Sequence, residues 1–238
     1  NFEYYDDLFF GLGNSNYYEK ISTDSTASAR QQAQKGNYWD SFLNLNFTQD
    51  KRNQKFQTTK GYLSKYNLDI PIISDTNSFI NTFNYKYFSE LYNDNVSTFG
   101  ISLGSAFSLD DSDIKLSERL FIPSSRLRGF EGGKVGPKDG NDYVGGNYLA
   151  TMNFASSIPQ ILPNSQDTDF SVFLDVANIW GVDYDSNLND SGKIRSSIGI
   201  GLDWFTVVGP ISFSYALPLS KDTNDVTQEF SFNLGTTF

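Results

Sequence analysis

A two-residue rhythm of apolar and small polar side chains runs along most of this chain, and it limits the possible folds more than any other feature. In Gln228–Phe238, the residues Phe230, Phe232, Leu234 and Phe238 alternate with Ser231, Asn233, Gly235 and Thr237. Ile211–Leu219 sets Ile211, Phe213, Tyr215, Leu217 and Leu219 against Ser212, Ser214 and Ala216, and Ile198–Trp204 has Gly199, Gly201 and Asp203 on its second face. Successive side chains of an extended strand point to opposite faces, so each segment presents one apolar and one polar surface. A sandwich strand buries its apolar face and carries larger charged groups outside. Here the second faces hold Gly, Ser, Ala, Asn and Thr, which suit a narrow polar lumen, with the apolar faces turned to lipid.

The same rhythm marks the other strands. Phe2–Gly13 and Asn16–Ile21 read as one or two aromatic-rich strands, followed by Ser41–Thr48, Thr59–Ile70, Phe79–Tyr87 and Phe99–Gly104. It resumes at Tyr143–Ala155, Phe170–Trp180 and Ile194–Phe205, giving about ten strands in all. Segments of about 9–11 residues are long enough to cross a bilayer at a tilt. Hydrophobic residues make up only 38% of the chain, yet it holds 14 Tyr and 21 Phe. That balance fits a barrel, where alternate positions face lipid and rings crowd the interfaces. A soluble β-sandwich is compatible with composition alone. No apolar run approaches the roughly 18 residues of a membrane helix. The fold class expected is all-β, a transmembrane antiparallel β-barrel.

Several functions are excluded by what the chain lacks. A net charge of -10 argues against a nucleic-acid partner. Without cysteine or histidine there is no disulfide framework, no usual zinc site and no histidine-dependent triad. Gly100-Ile-Ser-Leu-Gly104 matches the G-x-S-x-G pattern, but that motif needs a strand-to-helix turn and a histidine. Leu109–Lys115 is rich in carboxylates but lacks the spacing and terminal glutamate of an EF-hand, and reads as a solvated acidic loop. Neither an enzyme, a metal nor a cofactor is expected. The longest non-strand region is Leu109–Asp142, and the other long connections sort mostly to one end of the barrel with it. The chain begins at Asn1, without methionine or a leader, and reads as a mature fragment or the C-terminal part of something longer.

Inside that long region, Leu127-Arg128-Gly129-Phe130 resembles the Val/Ile-Arg-Gly-Phe motif of the bacterial surface antigen barrels. Gly136-Pro137 and Val144-Gly145-Gly146-Asn147 follow in that family's order. Arg195–Trp204 and Gly209–Leu219 look like its penultimate strands, and Phe230–Phe238 is similar to its terminal strand with the β-signal. Ala177 stands where the family has glycine in Asp-x-Gly-x-x-Trp, and Thr206-Val207 replaces an expected Ser-Pro.

The resemblance implies a sixteen-strand barrel of which this chain supplies about the last ten strands, with the first strands and the periplasmic domains absent. It implies a loop, 109–142, that folds back into the lumen, where Arg128 pairs with an acidic wall residue. Asp175 is the best partner, since alternation sets it inside with Phe173 and Ala177. Gly129 would permit an unusual backbone conformation, and Phe130 would pack the loop tip. The implied function is non-catalytic insertion of β-barrel proteins into the Gram-negative outer membrane. The seam between first and last strands would open laterally, and client strands would pair with the edge formed by Phe230, Phe232, Leu234, Gly235 and Phe238. Outer-membrane lipids, nascent barrel proteins and accessory assembly lipoproteins are the partners implied. A secretion translocator of the same superfamily and a passive porin are the rival readings.

Overall fold

The computed structural model describes residues 2–55, 57–92, 94–110, 112–161, 167–183, 188, 192–206 and 209–234. Its framework is an eleven-stranded antiparallel sheet whose neighbours follow chain order. The strands are β1 (Phe2–Tyr5), β2 (Leu8–Ile21), β3 (Gly36–Asp50), β4 (Gly61–Pro71), β5 (Ser78–Tyr92) and β6 (Asn95–Ser108). After a long excursion come β7 (Tyr148–Ser157), β8 (Thr168–Trp180), β9 (Arg195–Thr206), β10 (Gly209–Ser220) and β11 (Phe230–Leu234). This is the all-β barrel architecture that the alternation predicts. Among the described residues the sheet has two edges, β1 and β11.

Its two faces divide as the rhythm requires. Leu103, Met152, Val172, Leu174, Ile198, Ile200, Tyr215 and Leu217 project outward and are exposed. Phe173, Asp175, Ala177, Ser197 and Ala216, the alternate positions of the same strands, are buried. An exposed apolar belt of this extent is a liability in water and a requirement in lipid. The core lies inside the sheet. Ile122, Leu127, Phe130 and Val135 of the long excursion pack on Ala177 and Ile179 of β8, with Leu120 and Leu149 beside them.

Several boundaries differ from the sequence expectation; β3, β5 and β6, for example, are longer than Ser41–Thr48, Phe79–Tyr87 and Phe99–Gly104. The break near the start falls at Asp6–Asp7, where Asp7 takes φ 64°, so Leu8–Ile21 is one strand. The connection expected as an unstructured loop at Ser22–Gly36 holds one short helix, α1 (Ala29–Ala33), begun by a Ser28–Gln31 capping box. β7 begins at Tyr148, because Asp142-Tyr143 instead pairs with Lys138-Asp139 in a small hairpin. Gln228 lies outside the closing strand as well: Thr227-Gln228 pairs with Phe130-Gly129 of the excursion. Gly235–Phe238, the end of the expected closing strand, lies outside the described residues.

Candidate functional site

Two cross-strand rows define the inner wall. One runs Lys86, Gly100, Asn153, Asp175, Ser197 across β5 to β9, and its neighbour runs Asn84, Ser102, Thr151, Ala177, Arg195. Direct antiparallel partners share a face, so these polar side chains converge on the space that the excursion enters.

The excursion is pinned there by four cations. The Arg128 guanidinium donates to Asp175 through Nε and Nη2, both at 2.7 Å, and the Arg128 backbone N–H adds a third contact at 3.1 Å. Asn153 donates to the same carboxylate at 2.8 Å. Asp175 is fully buried, and these four donors satisfy both oxygens. Phe173 supplies a floor, its ring centroid 3.3 Å from the Arg128 guanidinium carbon. Gly199 makes room for that ring, since a Cβ there would lie 2.5 Å from Phe173 Cζ and 2.3 Å from the Tyr215 carbonyl. Gly129 takes φ +89° with the wall at Ala216 and Ser197 close behind it, a turn that only glycine makes without strain. Leu127 and Phe130, on either side of the Arg-Gly pair, are buried in the core.

Of the other three cations, Lys115 and Arg119 gave no motif to find them by, and Arg195 stood out only as the first residue of a strand resemblance. Lys115, expected in a solvated loop, is 2% exposed and bonds Asp40 at 2.5 Å and Glu19 at 2.9 Å, with Glu118 at 3.5 Å. In the stretch Leu109–Lys115, Leu109, Asp110, Ser112 and Asp113 are exposed, while Ile114 and Lys115 are buried. Asp110 accepts from Ser112, Asn77 and Ser108, which hold its carboxyl well below the usual range. Burial alone would push the Lys115 ammonium down, but its hydrogen bonds to Asp40 and Glu19 outweigh that and raise it. Arg119 reaches Asn147 and Asp183. Arg195 of β9 clasps Asp225 through Nε at 2.9 Å and Nη2 at 3.2 Å, and Asp225 also accepts the Gly136 N–H at 3.2 Å. The strap 222–228 leading to β11 is thereby fastened to the excursion. Val226 N–H to the Lys134 carbonyl and Glu131 N–H to the Val226 carbonyl add two backbone bonds.

Because the excursion touches β3 at Asp40, β5 at Asn84 and β8 at Asp175, these strands curl around it. The structure therefore defines a class: a lipid-facing β-barrel wall with a charge-pinned plug inside and an edge strand strapped to that plug. The Omp85 superfamily domain model matches residues 4–238, and the chain belongs to that superfamily.

The chain is 28% identical over 225 residues to the outer membrane protein assembly factor BamA of Neisseria meningitidis serogroup B, covering 79% of this chain and 28% of that protein. A SAM50-like protein of Schizosaccharomyces pombe is 29% identical over 148 residues, covering 57% of this chain and 30% of the relative. Thus the chain spans under a third of the length of the curated relatives it matches. A crystal structure of BamA from Haemophilus ducreyi lacking POTRA domains 1-3 superposes with a TM-score of 0.86 at 23% identity, over 99% of this chain and 52% of that one. Barrel wall, family and relatives place the protein in the Gram-negative outer membrane.

Proposed function

We propose that this chain is the C-terminal wall and plug of an outer-membrane protein assembly factor, part of a longer polypeptide that carries the remaining strands and periplasmic domains. Its task is to insert nascent β-barrel proteins by lateral opening at β11, with accessory lipoproteins and outer-membrane lipid around it. The observation that carries this reading is the state of the edge. Among the described residues β11 pairs with β10 on one side, Phe230–Leu234 against Tyr215–Ile211, and with no strand on the other. A strand paired on one side only keeps its second row of backbone N–H and C=O groups available, and a client strand can add to them. No catalytic step enters: the work is strand exchange, guided by a rigid wall.

The plug supports this reading over a passive porin. Its apolar cluster against β8 occupies the loop end of the lumen, where a porin needs a water-filled path. The strap 222–228 also ties β11 to the Arg128 segment, so movement of the plug would change the freedom of the edge. Depleting the full-length gene product tests the proposal. General loss of barrel proteins from the outer membrane is the expected result. Loss of a single secreted substrate, with other barrels at normal levels, would overturn it in favour of a secretion translocator.

A further inference from the structure

The turn end of the lumen holds a cavity of about 860 Å³ beneath the plug. Its charge runs against that of the chain, whose net charge is -10. Five cations line it, and two of them are already satisfied: Arg52 by Asp50 and Arg128 by Asp175. The other three, Lys55, Lys86 and Arg126, have no carboxylate partner among the described residues.

Arg126 is the best defined. Asn153 holds its carbonyl at 2.8 Å, and its Nη2 donates at 3.0 Å to the Asn84 side chain, which also accepts from Ser102. Two wall asparagines therefore aim a half-buried guanidinium into the cavity and give it one neutral acceptor. Arg128, two residues on, is turned to a buried carboxylate; Arg126 is not. Lys86 lies in the same cross-strand row as Asp175 and reaches the lumen past Gly100, with its ammonium 5.1 Å from the Phe88 ring centroid. Lys55 stands at the rim. Three carboxylates, Asp94, Asp169 and Asp203, line the cavity too, and Asp169 and Asp203 face each other across β8 and β9. Asp169 and Asp203 thus lie on the β8–β9 side and Asp94 at the β5–β6 turn, while Arg126, Lys86 and Lys55 form no ion pair with any of them among the described residues.

A half-buried guanidinium without a counter-ion is costly, and a carboxylate offers it the bidentate geometry it lacks here. We infer that this cavity binds an acidic segment of polypeptide entering from the turn end, with its carboxylates on Arg126, Lys86 and Lys55. The volume falls in the range of ligand sites and far exceeds a single ion. A phospholipid headgroup fits poorly, because the strands separate the cavity from the acyl region and its chains would have to enter a polar lumen. The inference rests on the reading that polypeptide clients approach this end of the barrel.

The test uses the full-length protein in detergent and a fluorescent hexa-aspartate peptide, with a hexa-lysine peptide and inorganic phosphate as comparison probes. Hexa-aspartate is expected to bind, to weaken as salt rises, and to lose affinity on the order of tenfold in Lys86→Gln and more in Lys86→Gln/Arg126→Gln. Lys86→Gln keeps the test independent of plug docking, since that side chain is exposed to the lumen and holds no loop. Absence of hexa-aspartate binding at low salt, equal binding of hexa-lysine, or unchanged affinity in both variants would overturn the inference. Equal competition by millimolar phosphate would reduce it to a small-oxyanion site and sink the polypeptide claim. Peptide binding without general barrel assembly would leave this site standing and remove the proposed function. Assembly without peptide binding would do the reverse.

Discussion

At the scale of single residues, the Arg128–Asp175 pair is asymmetric in its surroundings. The Arg128 side chain is 20% exposed toward the turn-end cavity, whereas that of Asp175 is fully buried. Arg128→Gln would leave a buried carboxylate with Asn153 as its main side-chain donor, while Asp175→Asn would leave a guanidinium that can still reach cavity water. Breaking a buried pair from one side costs about 3–5 kcal/mol, so Arg128→Gln is expected to approach that range and Asp175→Asn to fall short of it. Thermal loss of the compact, heat-modifiable form in detergent reads the difference; equal losses would count against the asymmetry. A charge swap, Arg128→Asp/Asp175→Arg, that recovered nothing would show that the pocket, with Phe173 below and Gly199 behind, is shaped for one orientation. The sequence carried Asp175 through alternation and Arg128 only through a motif. Nothing in it marked Lys115, Arg119 or Arg126, because a loop cation looks alike in sequence whether it points to water or to a wall.

At the scale of elements, the joint between the plug and the strap has few parts among the described residues: one short β-pair, three bonds from backbone N–H groups and the Tyr143 hydroxyl on the Asn224 carbonyl, with Arg195 of β9 holding Asp225 from the wall. Phe130 and Thr227 are Cα partners in that pair. Antiparallel partners sit at a separation a disulfide can span, and the chain has no cysteine to interfere. In Phe130→Cys/Thr227→Cys, oxidation is expected to cross-link plug and strap and to halt barrel assembly, with reductant restoring it. Full activity of the cross-linked protein would remove the joint from the mechanism.

Lys115 governs the other end of the plug. Its raised ammonium pKa means that the charged form is favoured by docking. That contribution is complete below the ordinary lysine value of about 10.4 and is lost as pH rises through the higher folded value. Protease access to residues 109–142 should therefore stay low through neutral pH and rise only in strong alkali, whereas in Lys115→Met it should be high throughout. Strand positions were legible because a lipid face and a lumen face impose a period of two. The strap was not: Thr227-Gln228 continues the alternation of β11, and only the partner across from it shows that the segment has left the sheet.

At the scale of the molecule, stability is unevenly spread, and the unevenness follows from where the lumen is filled. β7 and β8 pair along nearly their whole lengths and carry the plug's apolar cluster on their inner face. Among the described residues β11 pairs on one side only and has a lipid-exposed outer face at Phe230, Phe232 and Leu234, with a small inner contact between Ser214 and Ser231 at 2.6 Å. Local opening energies track buried apolar contact and protected backbone hydrogen bonds. In native-state hydrogen exchange on the full-length protein, amides of Phe230–Leu234 should exchange first among the strands from β6 to β11. Those of Thr151–Ser157 and Ser171–Ile179 should exchange last. The expected gap widens in Asp225→Asn, which frees the strap while leaving the β10–β11 register untouched. Uniform protection from β7 to β11 would mean that the strand paired on one side is not a weak edge. Protection of β11 unchanged by Asp225→Asn would mean that plug and edge move independently.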